Sequence, residues 1–183
     1  FLPIFTAPMD TVVDKNNMQK YLDLKINVCL PRGEQKTHSI NPNVFNSYSL
    51  DEFLKYFVNV DEFGRTINLS IKRFVLIDIA NGHMKKLINA IKKAKKMYGD
   101  NLIIMSGNVG TAEGYVELSN AGASFVRCGI GNGAGCLTTE NTAIGYPMGS
   151  LIEECYKASL KLDNPAKIVA DGGMKTYSDV IKS

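Results

Sequence analysis

His38, His83 and four cysteines are all the imidazole and thiol ligands this 183-residue chain offers, and the cysteines, at 29, 128, 136 and 155, include no C-x-x-C pair. Tetrahedral zinc sites and small disulfide frameworks need such ligands at close, repeated spacing, so neither is expected. Free thiols point to a reducing compartment, the cytoplasm. No run approaches the roughly 18 to 20 apolar residues of a membrane span, and no charged segment precedes an apolar signal core. Charge of one sign is scarce too: 21 Lys and Arg against 18 Asp and Glu leave a net +3, too little to address the chain to nucleic acid or a membrane surface. The densest basic run, Lys85 to Lys96, carries Met84, Leu87, Ile88, Ile91 and Ala94 at helical spacing opposite the lysines. It reads as the solvated face of an amphipathic helix.

What is present suffices for one soluble domain with a full core, since 45% of residues are apolar. Strand-like runs fall at Ile4 to Ala7, Ile26 to Leu30, Val44 to Tyr48, Phe74 to Ile79, Leu102 to Ser106, Ser124 to Cys128 and Ile168 to Asp171. Helical patterns fall at Asn16 to Leu22, Leu50 to Phe57, Met84 to Tyr98, Ala112 to Asn120, Leu151 to Leu160 and from Ser178 onward. Alternation of this kind predicts βα units, a parallel sheet and the α/β class. Seven recognisable units come close to the eight of a (β/α)8 TIM barrel, whose sites gather at the C-terminal ends of the strands. Most strands do end in a motif: APMD, DIANG, GNVGTAEG, GIGNGAGC and DGG follow five different ones. A doubly wound open sheet would collect its motifs at one switch point instead. The expected organisation is a single catalytic barrel domain over residues 1–183, incomplete at both ends, with the last strand and a C-terminal segment missing and no inserted regulatory domain.

The chemistry concentrates in GIGNGAGCLTT, where a glycine-dense loop leaves a strand and delivers one thiol, Cys136, followed by hydroxyls. Glycines let several main-chain N–H groups face a ligand, and a thiol among them can shift toward thiolate. Cys29 and Cys128 lie within predicted strands and Cys155 within an apolar helical pattern, so these three read as small buried hydrophobes.

In order along the chain, APMDTV, D-x-ANG, GNV-x-TAE, GIG-x-G-x-x-C-x-T, GYP and ADGG resemble the IMP dehydrogenase and GMP reductase family, and the match covers nearly the whole chain. DIANG and GYP look more like the reductase branch, as does the short connection between the second and third strands, where many dehydrogenases carry a regulatory domain pair. The resemblance implies a GMP reductase: NADPH-dependent reductive deamination of GMP to IMP and ammonia through a covalent cysteine adduct at purine C2. It implies Cys136 as nucleophile and Thr138 as the group handling the leaving amine's proton, helped in the family by a glutamate beyond the point, Ser183, where this chain stops.

Asp78, Ile79 and Ala80 would hold the cofactor, with Ile130 and Gly131 lining its nicotinamide side, while Met9, Asn108, Arg127, Asp171, Gly172 and Gly173 would bind the nucleotide. A potassium ion held by carbonyls of Gly131, Gly133 and Cys136, a homotetramer and a GMP or IMP ligand are also implied, with no nucleic acid or membrane partner. Three departures stand out: Ala134 replaces a serine, Thr139 replaces an arginine, and LPRGEQK, with Arg32, stands where reductases place a lysine near the cofactor. IMP dehydrogenase, a nucleotide-binding barrel without turnover and a flavin-using barrel oxidoreductase are the competing readings.

Overall fold

Three parallel strands, β1 (Val28–Leu30), β2 (Val44–Tyr48) and β3 (Arg73–Asp78), are buried over all of β1 and β2 and at the centre of β3, Val75, Leu76 and Ile77, with Asn46 and Ser47 as buried polar residues of β2. That is the signature of a parallel sheet covered on both sides. The computed structural model describes residues 1–34, 41–59, 69–133 and 135–182, which form two compact units, Phe1–Asp78 with Lys92–Met105, and Ile79–Ile91 with Ser106–Ser183.

In the first unit the sheet order is β1, β2, β3 and then the first half of β4 (Leu102–Val109). Between β1 and β2 the register pairs Val28 with Val44 and Leu30 with Asn46. Val13, Leu22, Val28, Leu30 and Val44 make one core cluster under α1 (Met18–Asp23), with Val12, Met18 and Tyr21 packed against it. Edge-to-face rings continue the core, Phe5 on Phe45 at 5.8 Å and Phe45 on Phe74 at 5.6 Å. After β2, Ser49 starts α2 (Leu50–Phe53) with a capping box: the Glu52 N–H donates to Ser49 Oγ at 3.2 Å, and the Ser49 N–H donates to Glu52 Oε2 at 2.8 Å. The helix then widens into a π turn over Leu54–Val58 rather than running on as a regular α-helix.

The first predicted strand, Ile4 to Ala7, survives only as a single bridge from Phe5 to Asn27. The ladder stops there because the Cys29 N–H donates to Thr6 Oγ1 at 3.0 Å instead of a backbone carbonyl and Pro8 has no N–H to continue it, which leaves bonds such as Thr6 N–H to the Asn27 carbonyl at 2.9 Å. Six strands, rather than seven, are therefore present among the described residues.

In the second unit the latter half of β4, β5 (Phe125–Cys128) and β6 (Lys167–Ala170) follow one another, β5 pairing with β6 in parallel from Phe125 with Lys167 to Cys128 with Ala170. α4 (Ala112–Ala121) is capped by the Thr111 hydroxyl at its start and ends on left-handed Gly122. α6 (Met148–Ser159) packs on α4, and the Tyr115 hydroxyl ties the helix layer to the start of β6 by donating to the Ala166 carbonyl at 2.6 Å. In neither unit does the strand order reverse, so there is no switch point; this is the α/β order of a barrel.

α3 (Lys85–Tyr98) is the predicted amphipathic helix, with Leu87, Ile91 and Ala94 fully buried. Met84 precedes the helix and is exposed, so it does not belong to the apolar stripe. Among the described residues no helix is long and apolar enough to cross a membrane.

Candidate active site

β4, β5 and β6 each end in a polar group of the second unit, and their C-terminal ends bring three side chains together. Asn108 at the end of β4 donates through Nδ2 to Asp171 Oδ2 at 2.5 Å and to the Gly129 carbonyl at 2.7 Å. Arg127 on β5 donates from Nη2 to the same carboxylate oxygen at 2.8 Å. Arg127 is buried, so its charge stays in place because Asp171 neutralises it. Motif by motif, Asn108, Arg127 and Asp171 are separate candidates for the nucleotide; the fold makes them one hydrogen-bonded cluster.

The glycine loops press close around this cluster. At Gly107, φ is +144°, and a Cβ there would lie 2.5 Å from the Arg127 carbonyl. Gly172, with φ +83°, lies so close to the preceding loop that a Cβ would meet the Gly133 nitrogen at 2.9 Å. Only glycine suits these two positions, because the backbone lies in a region that side chains disfavour and the opposing atoms are themselves backbone. The result is that DGG, carrying Gly172 and Gly173, lies against the GIGNG loop that leads to Cys136. Ala134, in that loop, lies outside the described residues.

Cys136 is exposed, and its Sγ faces the Thr138 hydroxyl at 3.2 Å. Hydrogen bonding from the Thr138 side chain, then from its backbone, holds the thiol below the ordinary cysteine value, while slight burial and the Asp171 carboxylate oppose this. Thr138 also begins α5 (Thr138–Thr142), a short helix that the sequence reading did not anticipate. Cys29, Cys128 and Cys155 are buried, and Cys128 Sγ lies 3.8 Å from Cys155 Sγ. The Cys155 contact and burial push the Cys128 thiol up, away from reactivity.

The remaining predicted residues are distributed as follows. Ile130 packs its side chain toward Gly110, whose Cβ, if present, would meet Ile130 Cδ1 at 3.0 Å. Thr139 crowds the backbone at both Gly131 and Gly145. The Gly133 carbonyl accepts the Cys136 N–H at 3.0 Å. Ile79 exchanges backbone bonds with the end of β4, its N–H donating to the Gly107 carbonyl at 3.0 Å and its carbonyl accepting from the Asn108 N–H at 2.6 Å; Ala80 follows it and is exposed.

In the first unit, Met9 is exposed in the turn after Pro8, and Arg32 Nε reaches Asp78 Oδ2 at 3.3 Å. Arg32 thus pairs with the aspartate expected to hold the cofactor. A cavity of about 840 Å³ lined by Met148, Ile152, Tyr156, Ile168 and Met174 shares only Gly173 with the predicted site residues. His83 escaped sequence reasoning; its position directly after DIANG was the available signal.

A family model for the IMP dehydrogenase / GMP reductase domain matches residues 62–183. GMP reductase of Staphylococcus epidermidis is 33% identical over 188 aligned residues, covering 100% of this chain and 56% of that protein. GMP reductase of Staphylococcus aureus is 32% identical over 190, again across 100% of the chain and 56% of the relative. The inosine 5′-monophosphate dehydrogenase structure from Legionella pneumophila aligns with a TM-score of 0.74 at 28% identity, covering 99% of this chain and 54% of that one. The chain therefore spans about half the length of the relatives it matches.

Proposed function

Because the chain belongs to the IMP dehydrogenase / GMP reductase family, we propose that it serves the reductive deamination of GMP to IMP and ammonia, with Cys136 as nucleophile. The observation that carries this reading is an exposed thiol 3.2 Å from the Thr138 hydroxyl, on the loop that the Gly172 and Gly173 backbone lies against.

The Cys136 thiolate attacks C2 of the purine, a C–S bond forms, and the C2–N bond breaks so that the 2-amino group leaves as ammonia. Thr138, at hydrogen-bond distance from the sulfur, is the nearest hydroxyl to pass a proton to the departing nitrogen. When bound, NADPH supplies the hydride that C2 needs. The C–S bond then breaks and its electron pair returns to Cys136, leaving C2–H in IMP.

The other residues bind and orient. Asp171 accepts from ribose hydroxyls on the side not taken by Asn108 and Arg127, and the Gly172 and Gly173 amides face the phosphate. Met9 contributes to nucleotide binding. Asp78, whose side chain is 23% exposed, retains an accessible carboxylate suited to a cofactor ribose, with Arg32 adding a positive charge beside it. Ala80 supplies backbone toward that cofactor, Ile79 has only its carbonyl's second lone pair to offer because its N–H donates to Gly107 and its carbonyl already accepts from Asn108, and Ile130 and Gly131 flank the nicotinamide.

The residues fit potassium less well. The Gly133 carbonyl already accepts the Cys136 N–H, and Thr139 crowds Gly131, so the ion has no part in the steps above. The reading carries with it a cytoplasmic homotetramer, testable by fractionation and by light scattering.

The deciding experiment assays the protein with GMP plus NADPH against IMP plus NAD and looks by mass spectrometry for a purine adduct on the Cys136 peptide. NADPH oxidation that depends on GMP, abolished in Cys136→Ala, supports the reading. Activity only with IMP and NAD assigns the chain to the dehydrogenase reaction, and nucleotide binding without hydride transfer in either pair overturns turnover altogether.

A further inference from the structure

We infer that His83 is a positioning residue for Asn108, fixing the loop after β4 by accepting the Gly110 N–H on its imidazole Nε2; the consequence for nucleotide binding rests on the reading of Asn108 given above.

Asn108 is held from both sides. Its N–H donates to the Ile79 carbonyl at 2.6 Å, and its carbonyl accepts the Gly82 N–H at 2.8 Å. Two residues further on, Gly110 donates to His83 Nε2 at 3.3 Å, so the segment after β3 grips the backbone on either side of Val109. Backbone groups alone make the first two bonds and survive most substitutions. The third depends on a side chain that can accept, which makes it the one specified by residue type.

The ring is itself confined. The His83 N–H donates to Asn81 Oδ1 at 3.0 Å, which shapes the turn entering α3. On its other side the imidazole lies directly against Gly114 in the first turn of α4, where a Cβ would run into the ring. An imidazole accepts only on the nitrogen without a proton, so the tautomer that fits carries its proton on Nδ1.

What this arrangement secures is the direction of the Asn108 side chain. Both amide hydrogens have partners, the Gly129 carbonyl and Asp171 Oδ2, which leaves Oδ1 as the atom it can offer a ligand. An acceptor held in one direction suits an N–H or O–H of the bound nucleotide. Pre-organising it removes an ordering cost from binding.

The test uses the 15N-labelled full chain with His83→Phe, which fills the space without an acceptor, His83→Gln, which keeps one, and Gly114→Ala, which displaces the ring. Hydrogen exchange at Gly110 and the Asn108 side-chain amide peaks report the positioning, and calorimetric titration with GMP reports its consequence. Losing the acceptor should speed Gly110 exchange and weaken GMP binding, each about tenfold, in His83→Phe and Gly114→Ala. His83→Gln should stay within about threefold of the parent on both readouts. Unchanged Gly110 exchange and Asn108 peaks in His83→Phe, or equal loss in His83→Gln, overturn the inference. If the parent binds no GMP while Gly110 and Asn108 respond as expected, the positioning stands and the functional reading falls. If the parent binds GMP and His83→Phe binds it equally well, the consequence for the nucleotide is overturned and the functional reading is untouched.

Discussion

Asn108 and Asp171 meet at 2.5 Å, although 63 positions separate them in sequence. The contact joins the end of β4 to the end of β6, with Arg127 of the intervening strand bonded to the same carboxylate oxygen. One acceptor serving two donors from two strands makes Asp171 the keystone of the second unit's polar cluster.

Asp171→Ala should therefore act beyond the ligand. It removes this carboxylate from Arg127, whose side chain is 9% exposed, and because the Asp171 side chain is itself 28% exposed, water offsets part of the loss. A cost of about 2 kcal/mol is expected, below the roughly 3 to 5 kcal/mol for breaking a fully buried pair. Urea denaturation measures it, and Arg127→Met in the Asp171→Ala background should recover part of the stability.

Gly107→Ala should be worse tolerated than any nearby surface change. The left-handed φ of +144° and the Arg127 carbonyl 2.5 Å from the new Cβ act together, and the carbonyl belongs to a buried strand that cannot yield. Destabilisation of at least about 3 kcal/mol is expected, read as a lowered denaturation midpoint at unchanged slope.

Cys136 should alkylate selectively. It is exposed and hydrogen-bonded to Thr138, whereas Cys29, Cys128 and Cys155 are buried, so peptide mapping after brief iodoacetamide treatment should find label on Cys136 alone. The thiol pKa is lowered, so thiolate forms below the ordinary cysteine value and the rate should rise with pH in that lower range. Thr138→Val removes the largest cause of the lowering. It should shift the alkylation profile to higher pH and slow the reaction several-fold near neutrality.

Tyr48 gives an alkaline signature. Burial raises its hydroxyl from 10.0 to about 12, so the folded chain keeps it neutral where the unfolded chain ionises it. The raised value means its contribution to stability is complete below pH 10 and is lost as pH rises through about 12. Tyrosinate absorbance should show a late-titrating tyrosine, and Tyr48→Phe should flatten the fall in stability across that window.

The α/β class, most of the order of elements and the exposure of Cys136 were legible in the chain. They depend on local information: alternation of apolar runs, glycine-dense turns after strands, and one thiol outside any apolar pattern. Val44–Tyr48 forms with the bounds read from sequence because Val44, Phe45 and Tyr48 favour a strand and Asn43 and Ser49 bracket it. The failures have local causes as well. Pro8 and the Thr6 hydroxyl cut short the ladder of the first run, and Met84 falls one residue before its helix, beyond the reach of the periodicity that would have buried it.

Tertiary structure alone decided which polar residues share atoms. Motif reading assigns Asn108, Arg127 and Asp171 to a ligand separately, but only parallel pairing of successive strands brings them to one carboxylate oxygen. It likewise lays the DIANG segment along the end of β4 so that His83 meets Gly110, and it sets Arg32 beside Asp78. Sequence spacing specifies which face or strand end a side chain occupies. The partner it finds there depends on sheet register and on how closely two loops approach, and those are properties of the assembled backbone.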